Sequence, residues 1–123
     1  MAQRPKRSHQ GSAATFEAAR QLALSLPHVK EVSSYGTPGF KVAGKLFARF
    51  HQDGEAVVVR IDPKERQMRM RADPHAFFIT DHYLHYPWML VRLSAVRLED
   101  LHELLQDAWR LRAPQKYLRN REG

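Results

Sequence analysis

Cysteine is absent from the 123 residues, which removes a disulfide framework, a thiol nucleophile and a thiolate metal site together. That absence suits a reducing compartment, and the reading places the chain in the cytoplasm. No apolar run approaches the roughly 18 residues a membrane helix needs, so no membrane partner is expected. The basic N-terminus is followed by no continuous apolar segment, because Glu17 and Arg20 interrupt it; a secretory signal is not expected. Acids are scarce at both ends. Residues 1–12 carry Arg4, Lys6 and Arg7 without an Asp or Glu, and residues 109–123 set Arg110, Arg112, Lys116, Arg119 and Arg121 against Glu122 alone. The formal charge of +7 therefore belongs to the ends, since residues 13–108 balance twelve Lys and Arg against twelve Asp and Glu. Basic arms can hold phosphates, but solvated charged tails are as common.

Catalytic signatures are missing too. There is no G-x-S-x-G elbow, and the Gly-rich YGTPGF at 35–40 has no Ser or Lys placed as in a phosphate-binding loop. No zinc finger, helix-turn-helix or ribonucleoprotein-type motif is present. The reading is therefore non-enzymatic, with no cofactor.

What is present centres on residues 34–49, SYGTPGFKVAGKLFAR. Tyr35-Gly36-Thr37-Pro38-Gly39 reads as a turn cluster, with Pro38 fixing φ and the glycines free to take φ > 0. Phe40-Lys41-Val42 and the run from Lys45 to Phe50 flank Ala43-Gly44, a two-residue hairpin turn. Strict alternation then puts Phe40, Val42, Lys45 and Phe47 on one face and Lys41, Leu46, Ala48 and Phe50 on the other. Neither face is polar, so the hairpin either contains a bulge or has its second face covered by a helix, a tail or another subunit.

Around the hairpin the pattern gives an α-β-β-β-β-α-β-α order. A first helix capped by Ser12 or Thr15 presents Phe16, Ala19, Leu22, Ala23 and Leu26 and stops at Pro27. Residues 29–34 are strand-like. Asp53-Gly54 turns into the Val57-Val58-Val59 strand, too apolar for one wet face and so interior to the sheet. Asp62-Pro63 starts a second helix that ends near Ala72. Phe77, Phe78 and Ile79 are expected in the core, Trp88 to Leu93 as a strand, and Leu98, Leu101, Leu104, Leu105, Ala108 and Leu111 as the apolar stripe of the last helix. The chain divides into a basic arm at 1–12, one domain at 13–114 and a basic tail at 115–123 anchored by Tyr117 and Leu118.

Two sets of residues suggest chemistry. Asp81, His82 and His85 have the donor types for a divalent ion, but the spacing lies outside a helix and no partner motif exists, so no metal site is assigned. Tyr35, Phe40, Phe47, Phe50, Tyr83, Tyr86 and Trp88 interleave with Lys41, Lys45, Arg49 and Arg92 as a stacking surface for bases would, although most aromatics of a small sheet belong to its core.

The runs SYGTPGFKVAGKLFARF, VVVRIDPKER and FFITDHYLHYPWMLVRL together resemble the MmcQ/YjbR-like family. They carry in order G-x-P-x-F-K-V-x-G-K-x-F-A at 36–48, D-P-x-E-R at 62–66, and T-D-H-Y ahead of Y-P at 80–87, and the match runs from about residue 26 to 114. The resemblance implies a two-layer α+β domain with an antiparallel sheet, similar to frataxin-like and secretion-chaperone-like folds. It also implies DNA binding through a "double wing", with no catalytic residues to carry over. The expected function is thus a DNA-binding domain gripping phosphates through Lys41, Lys45 and Arg49, assisted by Arg4, Lys6, Arg7, Arg112, Lys116, Arg119 and Arg121. The alternative is a domain that binds a protein or small ligand on its second sheet face, a second copy of the chain included.

Overall fold

The computed structural model of the protein describes residues 14–122, with side chains through residue 119. Arg4, Lys6 and Arg7 lie outside the described residues, as does the Arg121 side chain. Helix α1 (Phe16–Leu24) begins at Thr15, whose hydroxyl accepts the Ala18 N–H at 3.0 Å and so satisfies one of the orphan donors of a first turn. Strands β1 (Val29–Ser34), β2 (Thr37–Val42), β3 (Lys45–Phe50) and β4 (Ala56–Arg60) follow. Helix α2 (Pro63–Ala72) is capped by the Asp62 carboxylate, which accepts from the N–H groups of Lys64 and Glu65. Then come the two-residue β5 (Phe77–Phe78), a 3-10 turn (Asp81–Tyr83), β6 (Trp88–Arg92), α3 (Leu98–Arg112) and α4 (Gln115–Glu122). Among the described residues, no helix is long and apolar enough to cross a membrane.

The six strands form one sheet in the order β1-β2-β3-β4-β6-β5, antiparallel at every pairing. Helices α1 and α3 cover one face, and the main core lies beneath them. It holds Ala19, Ala23 and Leu26 of the α1 region, Leu101, Leu104, Leu105, Ala108 and Trp109 of α3, and Phe40, Val42, Val57, Val59, Met89 and Val91 of the sheet. The valine run is interior, as its composition demands. Val57 and Val59 face the helices, while Val58 points to the opposite face. There it packs with Ala56, Tyr83 and Leu90 under Phe78, Ile79 and Trp88.

The two-faced hairpin resolves through the bulge its sequence allows, and its second face is left uncovered. Val42 pairs with Lys45 and Lys41 with Leu46, but Phe40 then pairs with Ala48, so Phe47 is an extra residue in β3. A bulge re-aims the side chains that follow it, and Phe47, Ala48 and Phe50 all enter the helix-side core. Phe16 stacks on Phe50 with ring centroids 3.9 Å apart. The covering of the second face lies elsewhere in the sheet, over β4 and β6, where residues 79–87 of the same chain pack.

Three local expectations change. The first turn is only Tyr35-Gly36, with φ of 56° and 81°, and β2 already starts at Thr37. The N–H that Pro38 lacks would point toward β3, where pairing stops at Gly39–Arg49; the proline removes no ladder bond there. In α3, Leu111 is 51% exposed, while Trp109 is 1% exposed and donates from Nε1 to the Pro27 carbonyl at 3.0 Å. The C-terminal tail, to which the sequence assigned no element, is a helix. Tyr117 and Leu118 pack on the core, and Tyr117 stacks on His28 at 4.1 Å.

Trp109→Phe leaves the Pro27 carbonyl short of its donor and a void beside α1. Stability should fall by about 2–3 kcal/mol in denaturant unfolding, whereas Leu111→Ala should change it by less than about 1 kcal/mol.

Candidate functional site

The face of the sheet turned away from α1 and α3 is basic by register. Counting alternate positions along each strand, it presents Lys30, Val32 and Ser34 of β1; Thr37, Gly39 and Lys41 of β2; and Leu46 and Arg49 of β3. The inner strands β4 and β6 add Ala56, Val58, Arg60, Trp88, Leu90 and Arg92. None of these strand positions is an Asp or Glu. Glu31 points to the other face and pairs with Arg20 of α1 at 2.9 Å.

Residues 79–87 cover the β4–β6 half of this face and leave the β1–β3 half open. At the boundary lies a cleft of about 530 Å³ lined by Tyr35, Leu46, Arg49, His51, Gln52, Thr80, His82, Tyr83 and Trp88. One arginine, Arg66 of α2, holds its outer wall. Its Nη1 donates to the carbonyls of Tyr83, Tyr86 and Trp88 at 3.1, 2.7 and 3.0 Å, and its Nη2 to that of Leu84 at 3.3 Å. A planar guanidinium can gather four carbonyls of an irregular loop in this way because its donors are fixed in a fork.

Arg49 sits in the cleft at 8% exposure. Its Nη2 donates to the Tyr83 hydroxyl and its Nη1 to the Phe50 carbonyl at 3.2 Å. The Tyr35 ring lies 5.7 Å from its guanidinium carbon. Among the described residues, no carboxylate comes within ion-pair distance of it. Of its five N–H groups two are used, and Tyr83, whose oxygen accepts from Arg49, keeps its own proton for another acceptor. Burying a cation among neutral acceptors costs several kcal/mol, a cost that an incoming anion would offset. Gly39, cross-strand from Arg49, is closely walled: a Cβ there would stand 3.0 Å from both Leu46 Cδ1 and Ser34 Cβ, which would have to give by a few tenths of an ångström.

Other charged groups lie near the cleft or farther along the sheet, Arg60 beside α3. His51 Nδ1 lies 3.1 Å from Asp53 Oδ1. Burial opposes ionisation of Asp53, but the Glu55 N–H and the His51 ring outweigh it, and the carboxyl is held below its ordinary pKa. Arg60 stacks over Trp88 at 5.4 Å, and burial followed by the nearby Arg112 guanidinium lowers its pKa. Arg92 lies 4.5 Å over the Phe78 ring and donates to the His75 carbonyl.

The expected site residues divide. Lys41 and Arg49 share the outer face, but Lys45, paired with Val42 at the hairpin tip, falls on the helix side by register. Lys41 instead stands opposite Lys30, and both line a second hollow of about 460 Å³ with His28 and Tyr117. Through α4 the C-terminal end therefore meets the hairpin, where Tyr117 lines the hollow with Ala43 and Gly44; Lys116 lies 5.6 Å from the Tyr117 ring. Arg119 is exposed, and Arg112 is half-buried with its Nε unbonded. Of the aromatics, Phe40, Phe47 and Phe50 are core, Tyr35, Tyr83 and Trp88 line the cleft, and Tyr86 is exposed on the loop. Asp81, His82 and His85 are exposed, with the His82 ring edge-on to Tyr83. Among the described residues, no group of three or more His, Cys, Asp or Glu is placed to hold a metal ion. Sequence reasoning missed Lys30, Arg60, His51 and the Arg66 clamp. Only the placement of Lys30 in an alternating strand signalled a position facing solvent.

Two substitutions separate support from function. Arg66→Met strips four carbonyls of their donor and should cost about 2–3 kcal/mol, with faster amide exchange across 80–88. Arg49→Met should leave stability unchanged or raise it by about 1 kcal/mol. A loss above about 2 kcal/mol in unfolding would make Arg49 a structural residue instead.

Three comparisons with known proteins bear on identity. Uncharacterized proteins of Mycobacterium bovis and Mycobacterium tuberculosis are 38% identical over 64 residues, 51% of this chain and 50% of theirs. The chain thus spans about half the length of the curated relatives it matches. The crystal structure of a Deinococcus radiodurans protein with a DUF419 domain superposes with a TM-score of 0.70 at 26% identity, covering 80% of this chain and 78% of that one. The YjbR family model matches residues 24–111, nearly all of the sheet, α2 and α3, and the chain belongs to the YjbR family.

Proposed function

We propose that this protein is a non-enzymatic DNA-binding domain that holds phosphates on the outer face of its sheet, with Arg49 at the centre. One observation carries the reading: a buried guanidinium with no carboxylate partner among the described residues, opening into an aromatic-lined cleft. The surroundings agree with it. Lys30 and Lys41 stand directly opposite each other, an arrangement that destabilises a strand pair unless an anion neutralises it. Tyr35, Tyr83 and Trp88 interleave with these cations, the combination by which sheets hold nucleic acid. The contacts are to backbone, so sequence preference should be slight. Lys45 has little part in this face, whereas Tyr117 brings the basic helix α4 to the hollow that Lys30 and Lys41 line.

Fluorescence anisotropy of the full chain with labelled DNA, titrated with salt, tests the proposal. Each neutralised phosphate contributes about 0.9 to the log–log salt slope on duplex and about 0.7 on single strands. Lys41→Gln should lower the slope by about one such unit while raising thermal stability slightly, and Lys45→Gln should change neither. Unchanged affinity in the Arg49→Met, Lys41→Gln double variant would sink the reading.

A further inference from the structure

We infer that the cleft receives a single unpaired nucleotide, its phosphate on Arg49 and Tyr83 and its base against Tyr35 and Trp88, so that the protein holds single-stranded DNA in preference to duplex. The inference rests on the nucleic-acid reading above and goes beyond it in naming the form of the ligand.

Four observations carry it. The cleft, at about 530 Å³, lies within the range of sites that enclose one small ligand. Arg49 lies below the rim, between the loop wall on one side and the Tyr35 turn on the other. The phosphates of a duplex sit on a wide rod that such a rim holds off, whereas a flexible single strand bends into it.

The third observation is Tyr35, which is 82% exposed and holds φ of 56° at the first position of a turn that favours Asn or Gly. A bulky ring carries strain in that conformation and contributes nothing to the core. Its only ring contact among the described residues is the Arg49 guanidinium. Fourth, the walls offer π-faces in several directions from Tyr35, His82, Tyr83 and Trp88. Stacking on such faces tolerates any base, but only a base released from its own stack can use them. The Lys30–Lys41 pair lies two residues along β2 from the Gly39–Arg49 row, about 7 Å at strand rise, placed to hold the strand as it leaves the cleft.

The protein has two tryptophans, Trp88 in the cleft and Trp109 in the core, so Trp88 reports occupancy. The full chain is titrated at one salt concentration with a short oligothymidylate, with a duplex of equal length, and with thymidine monophosphate. The oligothymidylate should bind at least tenfold tighter than the duplex and quench fluorescence, and Trp88→Phe should remove the quenching. Tyr35→Asn, which suits the left-handed turn, should weaken single-strand binding about tenfold and duplex binding by much less. Duplex binding equal to or tighter than single-strand binding, or a Tyr35→Asn variant with unaltered affinity, overturns the inference while the DNA-binding reading stands. No binding to either DNA overturns both. Thymidine monophosphate binding as tightly as the oligomer, with the same quenching, upholds the nucleotide in the cleft and overturns the DNA reading.

Discussion

One extra residue in β3 decides which side of the sheet Arg49 faces, and most of the molecule follows from that. With unbroken alternation from the Ala43-Gly44 turn, Phe47 and Arg49 would point toward α1 and α3, while Ala48 and Phe50 would point outward. A charged guanidinium would then lie in a dry core, at a cost no neighbour there could offset. The bulge between Phe40 and Lys41 in the pairing reverses every position after Phe47, which itself stays inward. Phe50 turns inward to meet Phe16 and Phe40, and Arg49 turns outward to Tyr83. One local irregularity thus serves both packing and the cleft, as bulges beside binding sites commonly do.

Arginines on this fold take three separate parts. Arg69 is spent on ion pairs with Glu65 and Glu103 at 2.9 and 3.3 Å, joining α2 to α3. Arg66 is spent on four loop carbonyls and fixes the wall of the cleft. Arg49 is held only by neutral oxygens and keeps donors in reserve. The three look alike in sequence, yet the chemistry left open to each is set by its partners. An arginine whose donors are consumed is architecture; one that is buried and underused still has donors to offer.

The loop and the sheet depend on each other. Residues 79–87 bury the outer side of β4 and β6 through Tyr83, Ile79 and Trp88, which permits the unbroken valine run of β4. The same loop leaves β1–β3 bare, and the cleft is the step between covered and uncovered sheet. Lys30 and Lys41, cross-strand on the bare half, give up a little stability, since like charges directly opposite repel.

The sequence by itself determined the order of elements and most of their ends. Asp62-Pro63 starts α2, Ser12 or Thr15 is marked as the cap of α1, Ala43-Gly44 and Asp53-Gly54 turn the chain, and the leucine stripe sets α3; each rests on φ preference, capping or periodicity within a few residues. It also carried the family, because those local devices occur in a fixed order. Tertiary structure alone decided the bulge at Phe47, the burial of Trp109 in place of Leu111, the folding of the C-terminal segment as α4, and the separation of Lys45 from Lys41 and Arg49. It alone placed Arg49 against Tyr83, 34 residues away, and Arg66 beneath a loop 17 to 22 residues on. Those outcomes turn on which groups meet after the sheet has closed, and a partner distant along the chain leaves no mark on local periodicity.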